Sequence, residues 1–281
     1  MRKAFANGVN LHYQQHGQGS DVILVHGVTS NLSYWLLTVL PQLMERHRVT
    51  LYDLRGHGFS DMPPSGYTSR EMAEDLRGLM DSLDIEEAHI VGHSFGGAIA
   101  LHYAVQYPER VHSLVIADSA IPVLRQCVSI ADWPLYDELQ KFLDPYGVKL
   151  PADPDRWDLA ELLPELSRLP TFVGLRRGLP RQDRRLQRLM ANTTCLEDLR
   201  AIDGLTEERI RTVATPTLAL YSDRSPFLAI CYYLEEHLPS CRSLIQAGGD
   251  HFLPAVAPEA LANLVLEHFA SVDARVIIRQ G

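Results

Sequence analysis

The stretch with the most chemical potential in this chain is Val91-Gly92-His93-Ser94-Phe95-Gly96-Gly97, a serine with a glycine two positions to either side. A serine hydroxyl is a poor nucleophile unless a base takes its proton and the chain holds its oxygen out toward a reactant. The Gly-x-Ser-x-Gly spacing serves the second need. Gly92 and Gly96 carry no Cβ, so the backbone on either side of Ser94 can approach closely enough to hold it at a strained bend, hydroxyl outward. The flanking text agrees: residues 88–91 read as the end of a buried strand and 97–107 as a helix stopped before Pro108. Strand, sharp turn and helix in that order would also aim the first backbone N–H groups of the helix at whatever Ser94 attacks.

Positioning such a turn takes a sheet. Val22-Ile23-Leu24-Val25 is a continuous apolar run, the pattern of a strand buried on both faces, and it ends in His26-Gly27-Val28-Thr29-Ser30. Val49-Thr50-Leu51-Tyr52 ends in Asp53-Leu54-Arg55-Gly56-His57-Gly58-Phe59-Ser60, residues 111–117 end in Asp118-Ser119-Ala120, and 216–221 end in Ser222-Asp223-Arg224-Ser225-Pro226. Helical spacing lies between them, through Tyr34 to Met44 and, behind a Ser69 cap, through Met72, Leu76, Leu79, Met80 and Leu83. Strands alternating with helices imply an α/β protein with a mostly parallel sheet flanked by helices, its chemistry in loops at the C-terminal ends of the strands. Phe5, Val9, Leu11 and Tyr13 alternate about Asn7-Gly8 and predict an antiparallel hairpin at the start.

The rhythm breaks between residues 121 and 213, where helical, polar text is interrupted by Pro122, Pro134, Pro145, Pro151, Pro154, Pro164, Pro170 and Pro180. This reads as a helical cap inserted after the strand ending at Ala117, into a core formed by residues 1–120 and 214–281. The rest of the core is a helix over about 227–237, a strand over 242–246, the loop Ala247-Gly248-Gly249-Asp250-His251-Phe252-Leu253-Pro254 and a last helix with Pro258 in its first turn. Residues 272–281 receive no assignment.

At 281 residues the chain has ample core for such a fold. Cys127, Cys195, Cys231 and Cys241 have no Cys-x-x-Cys spacing, which points away from a disulfide framework or a zinc site. The N-terminus meets polar residues before any signal-length apolar run, and no stretch is long enough for a membrane span, so a soluble, cytoplasmic protein is expected. A net charge of −9 argues against a nucleic-acid partner.

In this order, His26-Gly27, Asp53-x-Arg55-Gly56-x-Gly58-x-Ser60, Gly92-His93-Ser94-Phe95-Gly96-Gly97 and Gly249-Asp250-His251-Phe252 resemble the α/β-hydrolase family, over nearly everything outside the insertion. The residue chemistry agrees. His251, the late histidine in a glycine-rich loop beyond a strand, is expected to be the general base and then general acid for Ser94. The resemblance implies an oxyanion hole from the N–H groups of Phe95 and Val28 and no metal or cofactor, even though His26, His57 and His93 also flank strand ends. His26, Gly27, Trp35, His93 and Phe252 are expected around the substrate pocket.

The acid departs from the family's commonest pattern, because the positions where a carboxylate would follow the strand after the cap hold Ser222 and Ser225. Asp118, placed as in haloalkane dehalogenases of the family, is the preferred acid, and Asp223 the alternative. Ser94 at the elbow points away from dehalogenase and epoxide hydrolase chemistry, which needs a carboxylate there. The resemblance therefore implies hydrolysis of an ester or thioester through an acyl-enzyme. Carbon–carbon bond hydrolysis and a non-catalytic ligand-binding role share the same framework. Arg168, Arg176, Arg177, Arg181, Arg184, Arg185 and Arg188, against the single acid Asp183, form a basic run that could meet CoA or an acyl carrier protein and so favour a thioesterase.

Overall fold

The computed structural model describes residues 1–130, 133–151, 159–168 and 184–280. Its strands are β1 (Arg2–Ala6), β2 (Val9–His16), β3 (Ser20–Val25), β4 (His47–Tyr52), β5 (Ala88–His93), β6 (Val111–Ala117), β7 (Thr217–Ser222) and β8 (Cys241–Gln246). They form one sheet in the order β1-β2-β4-β3-β5-β6-β7-β8, antiparallel from β1 through β2 to β4 and parallel from there on. The β1–β2 turn is the expected hairpin: Asn7 and Gly8 both have positive φ (44° and 80°), the pairing that matches the right-handed twist of the strands.

The central strands are apolar on both faces because both faces are covered. Ile23, Val25, Ile90, Leu114 and Ile116 pack to one side, against α3 (Ser69–Ser82), α4 (Phe95–Gln106) and α10 (Leu228–His237). Val22, Leu24, Val91, Val115 and Leu218 pack to the other, against α1 (Ser33–Leu36), α2 (Leu40–Leu43) and α12 (Pro258–Gln280). The alternation of neighbouring residues between these two cores is the period-two signature of a strand.

Two local expectations are corrected and one unassigned stretch is filled. The helical spacing through Tyr34–Met44 is realised as two one-turn helices, α1 and α2, rather than one helix. The cap of α3 is Thr68, whose extended backbone lets its hydroxyl accept from the Glu71 N–H at 3.2 Å, while Ser69 is spent on His102 Nδ1 at 2.9 Å. The unassigned tail continues α12 as far as Gln280.

Between β6 and β7 the described helices are α5 (Tyr136–Leu143), α6 (Leu159–Arg168), α7 (Arg184–Asn192), α8 (Cys195–Asp198) and α9 (Glu207–Ile210), and α11 (Leu253–Val256) lies later, after β8. Leu143, Leu163, Leu186 and Leu189 of this insertion are buried in the same apolar cluster as Val28, Phe95 and Ile121. Polar ties hold it down as well. Arg185 donates to the Gly56 carbonyl at 3.0 Å and to the Ser60 carbonyl, Asp198 accepts from the Tyr67 N–H at 2.8 Å, and Trp133 Nε1 donates to the Arg224 carbonyl at 2.8 Å.

Candidate active site

Ser94 sits between the end of β5 and the start of α4 with φ 56° and ψ −128°, a conformation that non-glycine residues rarely hold. The glycines make the bend sterically feasible. A Cβ on Gly92 would collide with the Gly96 carbonyl oxygen, and one on Gly27 would lie 2.8 Å from Ser94 Cβ. The loop after β3 therefore closes directly onto the serine.

His251 reaches the serine from the loop after β8. Its Nε2 is 3.0 Å from Ser94 Oγ and its Nδ1 is 2.8 Å from Asp118 Oδ1. A carboxylate oxygen only accepts, so Nδ1 carries the proton and Nε2 presents a lone pair to the serine hydroxyl. Phe227 and Phe252 stand edge-on to the ring at centroid distances of 5.1 and 5.4 Å.

Asp118 is fully buried, with φ 44° just beyond β6. Four donors converge on its carboxylate. Oδ2 accepts from the N–H and Oγ of Ser222 at 3.0 and 3.1 Å, and Oδ1 accepts from Ser225 Oγ at 2.6 Å and from His251. Such a set offsets the desolvation of a buried anion and fixes the plane in which it meets the imidazole. The two serines that stand where a carboxylate was sought thus hold the carboxylate supplied by the neighbouring strand. Asp223 does not approach His251 by hydrogen bond. It is exposed and accepts from the Gly248 N–H at 2.9 and 3.1 Å, tying down the loop that carries His251.

Val28 and Phe95 line the same cavity as Ser94, and among the described residues neither backbone N–H has a hydrogen-bond acceptor. His57 steadies the first of them, its Nε2 donating to the Val28 carbonyl at 2.5 Å. Behind it, Asp53 accepts from the Leu32 N–H at 2.8 Å and the Phe59 N–H at 2.9 Å.

Of the residues expected around the pocket, Phe252 lines it and the others stand behind its wall. His26 is buried, donating from Nδ1 to the Gly27 carbonyl at 2.8 Å and accepting from the Leu54 N–H at 3.1 Å, so it holds two loops together. Trp35 belongs to the apolar core on the far face of the sheet. His93 is buried too. Its Nε2 donates to the His251 carbonyl at 2.7 Å, and burial pushes the imidazole down to about 3, leaving a neutral ring that positions the His251 backbone.

The cavity above Ser94 measures about 510 Å³ and is mostly apolar, with Ile121, Val128, Ile130, Leu139, Phe142 and Leu163 among its walls. Arg125, Arg200 and Arg224 also reach it; Arg224 faces Glu138 at 3.6 Å. The basic run expected on the insertion is only partly described: Arg184 and Arg188 are exposed, Arg185 is engaged with the core loops, and Arg176, Arg177, Arg181 and Asp183, with the side chain of Arg168, lie outside the described residues.

Sequence reasoning missed Ser222 and Ser225 as donors to the acid and His57 as the prop of the Val28 loop. Serines spaced three apart directly after an apolar strand were the available signal.

Comparison with known proteins agrees with this geometry. A profile described as alpha/beta hydrolase fold matches residues 22–275. A protein of Azorhizobium caulinodans, provisionally named as the carbamate hydrolase RutD, is 30% identical over 287 residues, spanning 97% of this chain and 100% of that one. The 2-hydroxymuconate semialdehyde hydrolase of a Pseudomonas species is 32% identical over 178 residues, 61% of this chain and 62% of its own. Among solved structures, a meta-cleavage product hydrolase of Pseudomonas fluorescens superposes with a TM-score of 0.64 at 27% identity, over 96% of this chain and 98% of that one. A provisionally named lipase of Acinetobacter baumannii reaches 0.75 at 20% identity, over 98% and 92% of the two chains, a likeness of fold. With the profile spanning nearly the whole sequence and the strand order, elbow and loops arranged as described, this chain belongs to the alpha/beta hydrolase fold family and is a hydrolase.

Proposed function

We propose that this protein hydrolyses carboxylic esters of small molecules through an acyl-enzyme on Ser94, with His251 as general base and Asp118 as the acid that orients it. The observation that carries the reading is the unbroken chain from Ser94 Oγ to His251 Nε2 at 3.0 Å and from His251 Nδ1 to Asp118 at 2.8 Å, opening on an apolar cavity. His251 takes the hydroxyl proton as Ser94 attacks the carbonyl carbon, and Asp118 stabilises the resulting imidazolium. The Val28 and Phe95 N–H groups receive the oxyanion. His251 then protonates the leaving alkoxide, and a water activated by the same imidazole releases the acid. The described residues of the insertion at 121–213 act as a cap, with Ile121, Val128, Ile130, Leu139, Phe142 and Leu163 in the cavity walls.

The same machinery would cleave a thioester, but Arg185 is committed to the core loops, which weakens the basic run as a platform for CoA or a carrier protein. A second reading, hydrolysis of a carbon–carbon bond beside a ketone, is favoured by the similarity to the 2-hydroxymuconate semialdehyde hydrolase. The test is intact mass after exposure to a fluorophosphonate, followed by turnover of p-nitrophenyl esters, acyl-CoAs and a vinylogous 1,5-diketo acid. A single adduct on the native protein, absent from Ser94→Ala, together with fastest turnover of the esters, is expected. No adduct on folded protein would overturn the nucleophile, and preferred turnover of the diketo acid would replace the ester reading with the second.

A further inference from the structure

At the end of the sheet opposite Ser94, the starts of β5 and β6 meet α12, and three side chains far apart in sequence come together: His89, His112 and Asp273. Their ligating atoms all lie within 4.8 Å of one another. Asp273 Oδ1 is 2.9 Å from His112 Nε2 and 3.6 Å from His89 Nε2. His89 is the telling member. Its side chain is 1% exposed, its ring stacks on Phe269 at 4.1 Å and meets His112 edge-on at 4.7 Å, and its Nδ1 is bonded to Ser113 Oγ at 2.7 Å. Its Nε2, aimed at Asp273, is buried without a hydrogen-bond partner among the described residues. Folding a polar nitrogen into such a place is unfavourable unless it finds a partner, and with Ser113 Oγ accepting from Nδ1 it presents a lone pair.

His112 carries the same implication. Its Nδ1 faces Glu87 Oε1 at 3.2 Å while its Nε2 faces Asp273, and both oxygens can only accept. With Nδ1–H given to Glu87, Nε2 must either hold a second proton or turn its lone pair to a cation shared with Asp273. We propose that His89 Nε2, His112 Nε2 and Asp273 Oδ1 form a binding site for a divalent transition-metal ion of the zinc class, with solvent completing the coordination.

The geometry suits such an ion. Tetrahedral zinc with ligand bonds of about 2.0–2.1 Å separates its ligand atoms by roughly 3.3–3.4 Å, and a small side-chain adjustment brings the present separations there. Two imidazoles and one carboxylate select zinc, nickel or copper over calcium or magnesium. Glu87 and Ser113 hold the remote ring nitrogens, as the outer partners of metal-bound histidines do. Ser94 follows the end of β5, five residues beyond His89 and so about 16 Å away at about 3.3 Å per residue, and the ion's role is to pin α12 to β5 and β6 rather than to act on substrate. The family resemblance implies no metal, and residues 89, 112 and 273, far apart in sequence, carry no recognisable ligand spacing.

The test is a competition titration of the chelator-treated protein with zinc chloride against a chromogenic chelator, with thermal melts in parallel. One equivalent of zinc bound, and a Tm that rises with zinc concentration, are expected for the native protein. Both should be lost in Asp273→Asn, a half-exposed position whose zinc-free melt should match the native one, and retained in the distant control His237→Gln. Should Asp273→Asn fold poorly, His112→Gln is measured in its place. No zinc uptake by the native protein, or uptake unchanged in these variants, would overturn the site.

Discussion

The loops that follow β6 and β7 lie side by side at the C-terminal edge of the sheet and divide one task between them in an unexpected way. The β7 loop holds a carboxylate, Asp223, but keeps it exposed and turned toward Gly248. The β6 loop holds Asp118, which is buried and reaches His251, and the β7 loop contributes only the hydroxyls and amide that surround it. The difference teaches that an orienting acid is defined by what solvates it after water has gone. Here the carboxylate comes from one loop and three of its four donors from the next.

The largest effect should separate the two aspartates. Asp118→Asn would let Nδ1 of His251 face an amide of either polarity and is expected to lower acylation by about 10³- to 10⁴-fold. Next, Gly27→Ala should cost on the order of 10²-fold in acylation with an unchanged circular dichroism spectrum, because the added methyl presses on Ser94 and displaces the Val28 amide. Ser225→Ala removes a donor that shares Oδ1 with His251 and should lower the same rate by roughly 10-fold; a loss as large as that of Asp118→Asn would mean the serine holds the loop and not merely the carboxylate. Asp223→Asn should stay within about 3-fold, since a single exposed contact to one amide is weakened.

The smallest effect is on stability. His93 has its pKa depressed from 6.5 to about 3, and His102 to about 4, in both cases chiefly by burial. In the unfolded chain both titrate near the ordinary value, so between about pH 4 and pH 6.5 the unfolded state binds more protons. Their contribution to stability is complete above pH 6.5 and is lost as the pH falls through that window. Urea midpoints should therefore drop from pH 7 to pH 5, and His102→Gln should reduce the slope without touching the site.

Much of this was legible in the sequence because it is written in glycines and apolar runs. The elbow around Ser94, the His26-Gly27 loop and the late His251 each follow a strand whose period and termination can be read directly. The partner of His251 was legible only as a choice between Asp118 and Asp223, because a sequence shows which residues can bear charge and not which oxygen is desolvated. The pocket wall was misread for a related reason. Trp35 and His93 are close to the site in sequence terms, yet both stand behind it: Trp35, on α1, packs into the apolar core with its ring 6.3 Å from that of His93, and His93 is bonded to the His251 backbone. The helical insertion was visible as a loss of βα rhythm, whereas its anchors, such as Arg185 on the Gly56 and Ser60 carbonyls, depend on long-range contacts that no local pattern records.

The most direct test of the account is the second-order rate of inactivation by a fluorophosphonate, measured for the native protein, Asp118→Asn and Asp223→Asn, because it reports serine activation without knowledge of the substrate. Asp118→Asn slowed by about three orders of magnitude or more, with Asp223→Asn near native, is the predicted result. Asp223→Asn slowed as much as Asp118→Asn, or more, would contradict the claim that the β6 loop supplies the acid.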